Sequence, residues 1–402
     1  MAENPRNAMT PTEILTTRRT AARSPMNSRG FARNERTPGT VASGILPRRG
    51  RSSLSSAVPE FETPGSSWGN RAAVRLKRLW PAIVGRVALL VLLFPRGAGA
   101  AGTVIIVTGA PGEAEFSSVF AKQAAAWKEA AEKGGARVIE VGGGVEDATN
   151  PDGAKLQAAL AAEKPDGEDA LWLVMNGHGT WDGTTARFNL RGPDISGDEL
   201  AALLRPVKRP AVIINTASSS APFMAKLAAP RRIIITATRS GSEQNLTRFG
   251  THLAAVIADP AADLDTDGSV SLLEAFLAAS RRTAEFYKTD SRLATEHALI
   301  DDNGDGLGTP ADWFKGLRAV KKSDKGAAPD GAAARHFYLV PPDSDKQWPA
   351  EKIKLRDQLE ARLAALREEK AAMKEDAYYV QLEALLLELA RLTRSAGEGA
   401  RQ

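Results

Sequence analysis

A chain of 402 residues with four histidines and no cysteine leaves acid–base chemistry few places to sit and excludes thiolate chemistry and disulfides. One histidine stands apart. His178 lies in Asn176-Gly177-His178-Gly179-Thr180, directly after the apolar run LWLVM, so its imidazole is held between two glycines at the end of a strand-like segment. Imidazole changes charge near neutrality and is the commonest general base, although a turn histidine is the plainer reading of the same residues. A second apolar run, AVIIN, is followed by Thr216-Ala217-Ser218-Ser219-Ser220-Ala221-Pro222, which delivers a row of hydroxyls to another strand end. A base and a hydroxyl at neighbouring strand ends are the materials of acyl transfer. Ser219 and Ser220 also suit the entry to a helix that begins with Pro222. The other histidines are placed less pointedly, His252 and His297 in expected helices and His336 in an expected loop.

A different chemistry is written in the acidic segments. Asp263, Asp265, Asp267, Gly268, Ser269, Ser271 and Glu274 occupy positions 1, 3, 5, 6, 7, 9 and 12 of an EF-hand-type loop. Hard cations take six to eight oxygen ligands, and a sharp glycine turn lets one continuous segment wrap a single ion, so Ca2+ is the expected cofactor. The ligands would be the three aspartates, the Ser269 carbonyl, the Ser271 hydroxyl and Glu274. Pro260 shortens the preceding helix, which predicts a loop followed by a helix rather than a helix on each side. A second segment repeats the first half of the pattern through Asp301, Asn303, Asp305 and the Leu307 carbonyl. It ends on Asp312, a shorter arm than glutamate, and an Asx turn is the alternative there.

These residues need a scaffold. Short β-branched runs alternate with amphipathic stretches from Thr103 onward, the pattern of a mostly parallel sheet covered by helices. Strands are expected at Thr103 to Thr108, Arg137 to Val141, Leu171 to Met175, Ala211 to Asn215 and Arg232 to Thr236. Helices are expected at Glu115 to Lys133, Gly153 to Glu163, Ser196 to Leu204, Pro222 to Leu227 and Leu246 to Ile257. Such sheets work at the carboxyl ends of their strands, where His178 and Ser218 stand. The glycines of Gly109-Ala-Pro-Gly112 and Val141-Gly-Gly-Gly144 lack phosphate-loop spacing and read as turns.

LVMNGHGT and IINTASSSAPF together resemble the caspase-like peptidase clan, closest to its legumain branch, over about Thr103 to Tyr287. The resemblance implies a caspase-type three-layer α/β sandwich with a mostly parallel sheet. It places Ser218 where that clan has its catalytic cysteine, His178 as base, and the Gly179 and Ser218 amides as oxyanion donors; IIITATRSGSEQN resembles the segment lining the substrate pocket. A hydroxyl is far less ionised than a thiol, so the exchange implies either a serine-dependent peptidase or a pseudo-peptidase that binds a peptide or protein without cutting it. The competing class is a non-catalytic, calcium-dependent scaffold.

Charge is divided along the chain. The first 101 residues carry a net +11 and the remaining 301 a net −6, so the overall +5 belongs to an Arg-, Ser- and Pro-rich tail. The remainder has no excess of basic charge for a nucleic-acid groove. Residues 1–73 read as disordered, and residues 74–101 as a signal peptide with a basic start, an apolar core and a small-residue site ending at Ala100, or as a membrane anchor. Translation from near Val74 would explain a signal so far inside the chain. An extracytoplasmic location follows from this reading. The caspase/legumain-like domain would span 102–320 and a linker 321–349. Residues 350–396, with Leu359, Leu363, Leu366 and Met373 and then Leu382, Leu385, Leu389 and Leu392, would form a helical hairpin broken near Asp376-Ala377, or a coiled-coil arm for a partner or a second copy.

Overall fold

The computed structural model describes residues 102–326, 328–343 and 348–399; the basic tail and the signal or anchor segment lie outside them. The strand run TVIIVT forms β1 (Thr103–Thr108), and RVIEVG forms β2 (Arg137–Gly142). Further along are β3 (Leu171–Asn176), β7 (Ala211–Asn215) and β8 (Arg232–Thr236). Strands β1, β3, β7 and β8 are buried along their whole length, as expected for continuous apolar runs sandwiched on both faces. The pairs β1–β2, β1–β3, β3–β7 and β7–β8 are all parallel.

Two short strands extend this sheet beyond the five expected. β9 (Leu299–Asp301) runs antiparallel to β8, and β10 (Thr309–Pro310) antiparallel to β9, giving the order β10-β9-β8-β7-β3-β1-β2. Three more, β4 (Gly179–Trp181), β5 (Ala186–Phe188) and β6 (Ile195–Ser196), make a small antiparallel sheet directly after His178. The pair β11 (Phe314–Lys315) and β12 (Arg318–Ala319) forms a hairpin.

Helices cover both faces, completing the expected three layers. On one face α1 (Ala114–Lys133), α5 (Phe249–Val256) and α6 (Leu272–Thr289) bury Trp127, Phe249 and Phe276 against Val104, Val174 and Ile214. On the other, α2 (Asp152–Ala161), α3 (Gly197–Leu204) and α4 (Ala221–Leu227) bury Leu156, Leu200 and Phe223 against Val107, Leu173 and Ile213. Alternate strand residues thus feed the two cores.

The segment expected as a linker is packed: Asp330, Ala334 and Leu339 are buried, and Tyr338 bridges to Ser271. Beyond it, α7 (Ala350–Glu369) and α8 (Glu375–Gly399) form a hairpin with its own core of Leu359, Leu366, Tyr378, Leu385 and Leu392. The break falls at Lys370–Ala372 and the extended Met373, earlier than Asp376-Ala377, which lie in the first turn of α8. Acidic residues suit a helix start, which is why the pair does not interrupt one.

Candidate active site and cation loops

Strand β3 lies between β1 and β7, so the loops leaving these three strands converge at one edge. Strand order reverses between β1 and β3, the place where open α/β sheets form a crevice. Each loop contributes one group: Pro111 after β1, His178 after β3 and Ser218 after β7.

His178 Nε2 is 3.2 Å from the Pro111 carbonyl oxygen. A carbonyl can only accept, so this contact places the proton on Nε2 and leaves Nδ1 as the basic nitrogen. Phe116 and Phe120 of α1 set their ring edges against the imidazole at 4.9 and 5.0 Å between centroids. The group that orients His178 is therefore a main-chain carbonyl in the Gly109-to-Gly112 turn, which no side-chain motif could nominate.

Ser218 is 5% exposed and turned to Gly179 rather than to the imidazole. The Gly179 amide donates to Ser218 Oγ at 3.1 Å, and the hydroxyl donates to the Gly179 carbonyl at 2.9 Å. A methyl group on Gly179 would lie 2.2 Å from the Ser218 carbonyl oxygen, so only glycine permits this approach. The structure thus brings Ser218 and Gly179 into contact and seats His178 beside them on a different partner.

The neighbouring loops are locked to this edge. Ser219 has a left-handed backbone, φ 54°, and its amide donates to the Glu243 carbonyl at 2.8 Å. A non-glycine residue held at positive φ beside a site residue marks local strain. Ser220 stands at the start of α4, but its hydroxyl accepts from the Ala237 and Thr238 amides at 3.1 and 3.2 Å instead of capping the helix. Glu243 accepts from the Arg239 amide at 3.0 Å and lies 2.6 Å from His297 Nδ1. His297 lies in extended chain leading into β9, not in a helix, because residues 291–298 return the chain from α6 to the sheet edge. His252 lies in α5, where burial and then Arg282 and Arg248 push its pKa down.

In the first acidic loop the carboxylates of Asp263, Asp265 and Asp267 offer oxygens within 4.8 Å of one another. Gly268 takes φ 93°, and its amide donates to Asp263 Oδ2 at 3.0 Å. Asp263 Oδ1 is buried without a hydrogen-bond partner. Glu274 is folded over the loop. Its Oε1 accepts from the Leu264 and Asp265 amides at 2.7 and 3.1 Å, and its Oε2 accepts from the Ser271 amide and hydroxyl, both at 2.8 Å. Ser271 and Glu274 form a capping box at the start of α6. Burial, ahead of other causes, raises the pKa of both Asp267 and Glu274. The Ser269 hydroxyl donates to the Val340 carbonyl, the Tyr338 hydroxyl donates to Asp267, and Arg335 pairs with Asp265 at 3.2 Å. A short 3-10 turn at Pro260–Ala262 replaces an entering helix.

The second loop is closed on its own backbone. Asp301 accepts from the Gly304 and Gly306 amides at 2.9 and 2.8 Å, Asn303 from Asp305 at 2.9 Å, and Asp305 from Leu307 at 2.8 Å. Asp312 is exposed on a 3-10 turn, and among the described residues it joins no cluster with Asp301 and Asp305. A further grouping absent from the sequence reading joins His336 with Asp357 and Glu360 of α7; the His336–Glu360 distance is 3.3 Å, and Arg356 pairs with Asp357.

No protein-family model matches the chain, and no curated protein matches it. Among solved structures it is similar to the Drosophila initiator caspase Dronc, at 13% identity over 54% of this chain and 85% of that one, with a TM-score of 0.37. Caspase-1 from Spodoptera frugiperda is 11% identical over 52% and 89%, with a TM-score of 0.36. Protein GSU0716 from Geobacter sulfurreducens is 13% identical over 51% and 96%, with a TM-score of 0.31.

Proposed function

We propose that this chain is a caspase- and legumain-like pseudo-peptidase: an exported, calcium-stabilised protein that holds a peptide or protein segment at the strand ends without hydrolysing it. One observation carries the reading. The Ser218 hydroxyl is engaged as donor and acceptor by Gly179, while His178 is held by Pro111. A serine becomes a nucleophile only when a base takes its proton, and here that proton faces a carbonyl oxygen that cannot remove it.

The Gly179 amide, expected as an oxyanion donor, is spent on Ser218 Oγ here, which also fits binding without hydrolysis, while the imidazole has one nitrogen fixed and one basic. A thiol at position 218 is a weak donor to Gly179 and ionises readily beside a base. The distinguishing experiment compares the full chain with Ser218→Cys and Ser218→Ala on a diverse peptide library. Cleavage only by the cysteine variant supports the reading. Cleavage by the parent that vanishes in Ser218→Ala would replace it with a serine-dependent peptidase.

Calcium at Asp263, Asp265 and Asp267, with the Ser269 carbonyl, the Ser271 hydroxyl and Glu274, is part of the proposal. The gathered carboxylates and the partnerless Asp263 Oδ1 support it. A bound ion would offset two of these negative charges and clamp the loop to the start of α6. The backbone closure of the second loop favours an Asx-turn role there.

A further inference from the structure

The hairpin core uses one stripe of α8, and a second apolar stripe remains on its outer side. Tyr379, Leu386 and Leu387 are 48%, 45% and 48% exposed, and with Leu382, Glu383 and Ala390 they make an open, largely apolar patch on this one helix. At about 3.6 residues per turn, Tyr379, Glu383, Leu386 and Ala390 fall on one face, spaced four, three and four apart in the sequence. A helix with apolar stripes on two sides packs against two neighbours, and α7 covers only one.

The charges at the ends of this outer stripe indicate what covers it. Asp376 and Arg394 are both exposed and are separated by five full turns, so they lie on the same side of α8 as the patch, equidistant from Leu385. A parallel copy of α8 would set Asp376 against Asp376 and Arg394 against Arg394. An antiparallel copy, related by a twofold axis at the level of Leu385, sets each Asp376 against the second copy's Arg394, and does so twice. In that arrangement Tyr379 meets the second copy's Ala390, a large side chain over a small one. Leu386 lies over the aliphatic stem of its Glu383, whose carboxylate reaches the rim.

We propose that the outer face of α8 is the interface of a homodimer, with the two hairpins joined through antiparallel α8 helices by Tyr379, Leu386, Leu387 and Ala390 and specified by two Asp376–Arg394 pairs. This is a self-complementary contact of the kind a twofold axis requires. It places two peptide sites on one assembly.

Sedimentation equilibrium of the full chain tests it. The expected result is a dimer that Leu386→Glu converts to monomer. Asp376→Arg or Arg394→Asp alone sets like charges together twice and weakens association by about tenfold or more. Mixing the two single variants gives each of the two pairs one acid and one base again, with the order reversed in one of them, and restores dimerisation as a mixed species. A monomeric parent, a dimer indifferent to both charge reversals, or a mixture no tighter than its components would each overturn the proposal.

Discussion

The hydroxyl of Ser218 serves both main-chain groups of Gly179, accepting from its amide at 3.1 Å and donating to its carbonyl at 2.9 Å. The contact joins the loop after β7 to the first residue of β4, so it is structural as well as local to the site. Removing it leaves the part-buried amide and carbonyl of Gly179 without this partner. Ser218→Ala is expected to destabilise the fold by about 1–3 kcal/mol in urea unfolding. A stability equal to the parent's would mean that Gly179 finds other partners.

A buried carboxyl pair sets a pH dependence away from the site. Asp330 accepts from the Asp302 amide at 3.1 Å and from the Thr309 hydroxyl, while Asp302 accepts from the Gly331, Ala333 and Ala334 amides. Burial, then the neighbouring Asp302, pushes Asp330 up to about 8. In an unfolded chain an aspartate titrates at about 3.9. Between these values the folded state holds a proton that the unfolded state has released, so stability from this pair falls as pH rises from about 4 to about 8. Asp330→Asn keeps an acceptor for Asp302 and offers an amide donor to Thr309. It is expected to match the parent near pH 4 and exceed it near pH 8, read from urea midpoints. Parallel pH curves for the two would refute the assignment.

The central strands were legible because parallel strands buried on both faces are written as uninterrupted apolar runs, and the residues just after them were then the ones to inspect. The Pro111 contribution was not, since every residue carries a carbonyl and only the fold shows which one faces His178. Strands β4 to β6 and β9 to β10 hold two or three residues each, too short for a period to register. His297 lay in a stretch compatible with a helix; its bond to Glu243 arises between residues 54 positions apart and has no local signature. The helical arm was legible from its leucine spacing, while its turn was misplaced because Met373 breaks the helix without a glycine or proline.

Close packing at Gly241 gives a test of the loop beside the site. A methyl group there would lie 2.5 Å from the Trp181 ring, which is fixed in the small sheet following His178. Gly241→Ala therefore pushes residues 239–243 away from β4, at a strain of about 1–3 kcal/mol. If peptides lie along this loop, affinity drops by about tenfold or more in fluorescence titration with any peptide selected by the parent. Unchanged affinity would place the peptide elsewhere.

The acidic loops separate a cation site from a backbone cap by how each responds to one substitution. Calcium binding to the native state alone raises stability by about 2.7 kcal/mol at a hundredfold excess over Kd. Glu274→Gln keeps an acceptor for the Ser271 amide, because glutamine also serves a capping box, but removes the charge at the twelfth loop position. With its carbonyl on Ser271, the glutamine places its NH2 against the Leu264 and Asp265 amides, so the variant in chelator is expected to unfold before the parent, while the increment on adding calcium shrinks or disappears. Asp312→Ala, on an exposed residue remote from any carboxylate cluster among the described residues, leaves that increment intact. Thermal melts of both variants with calcium and with chelator decide the matter: an undiminished calcium shift in Glu274→Gln, or its loss in Asp312→Ala, would move the site out of residues 263–274.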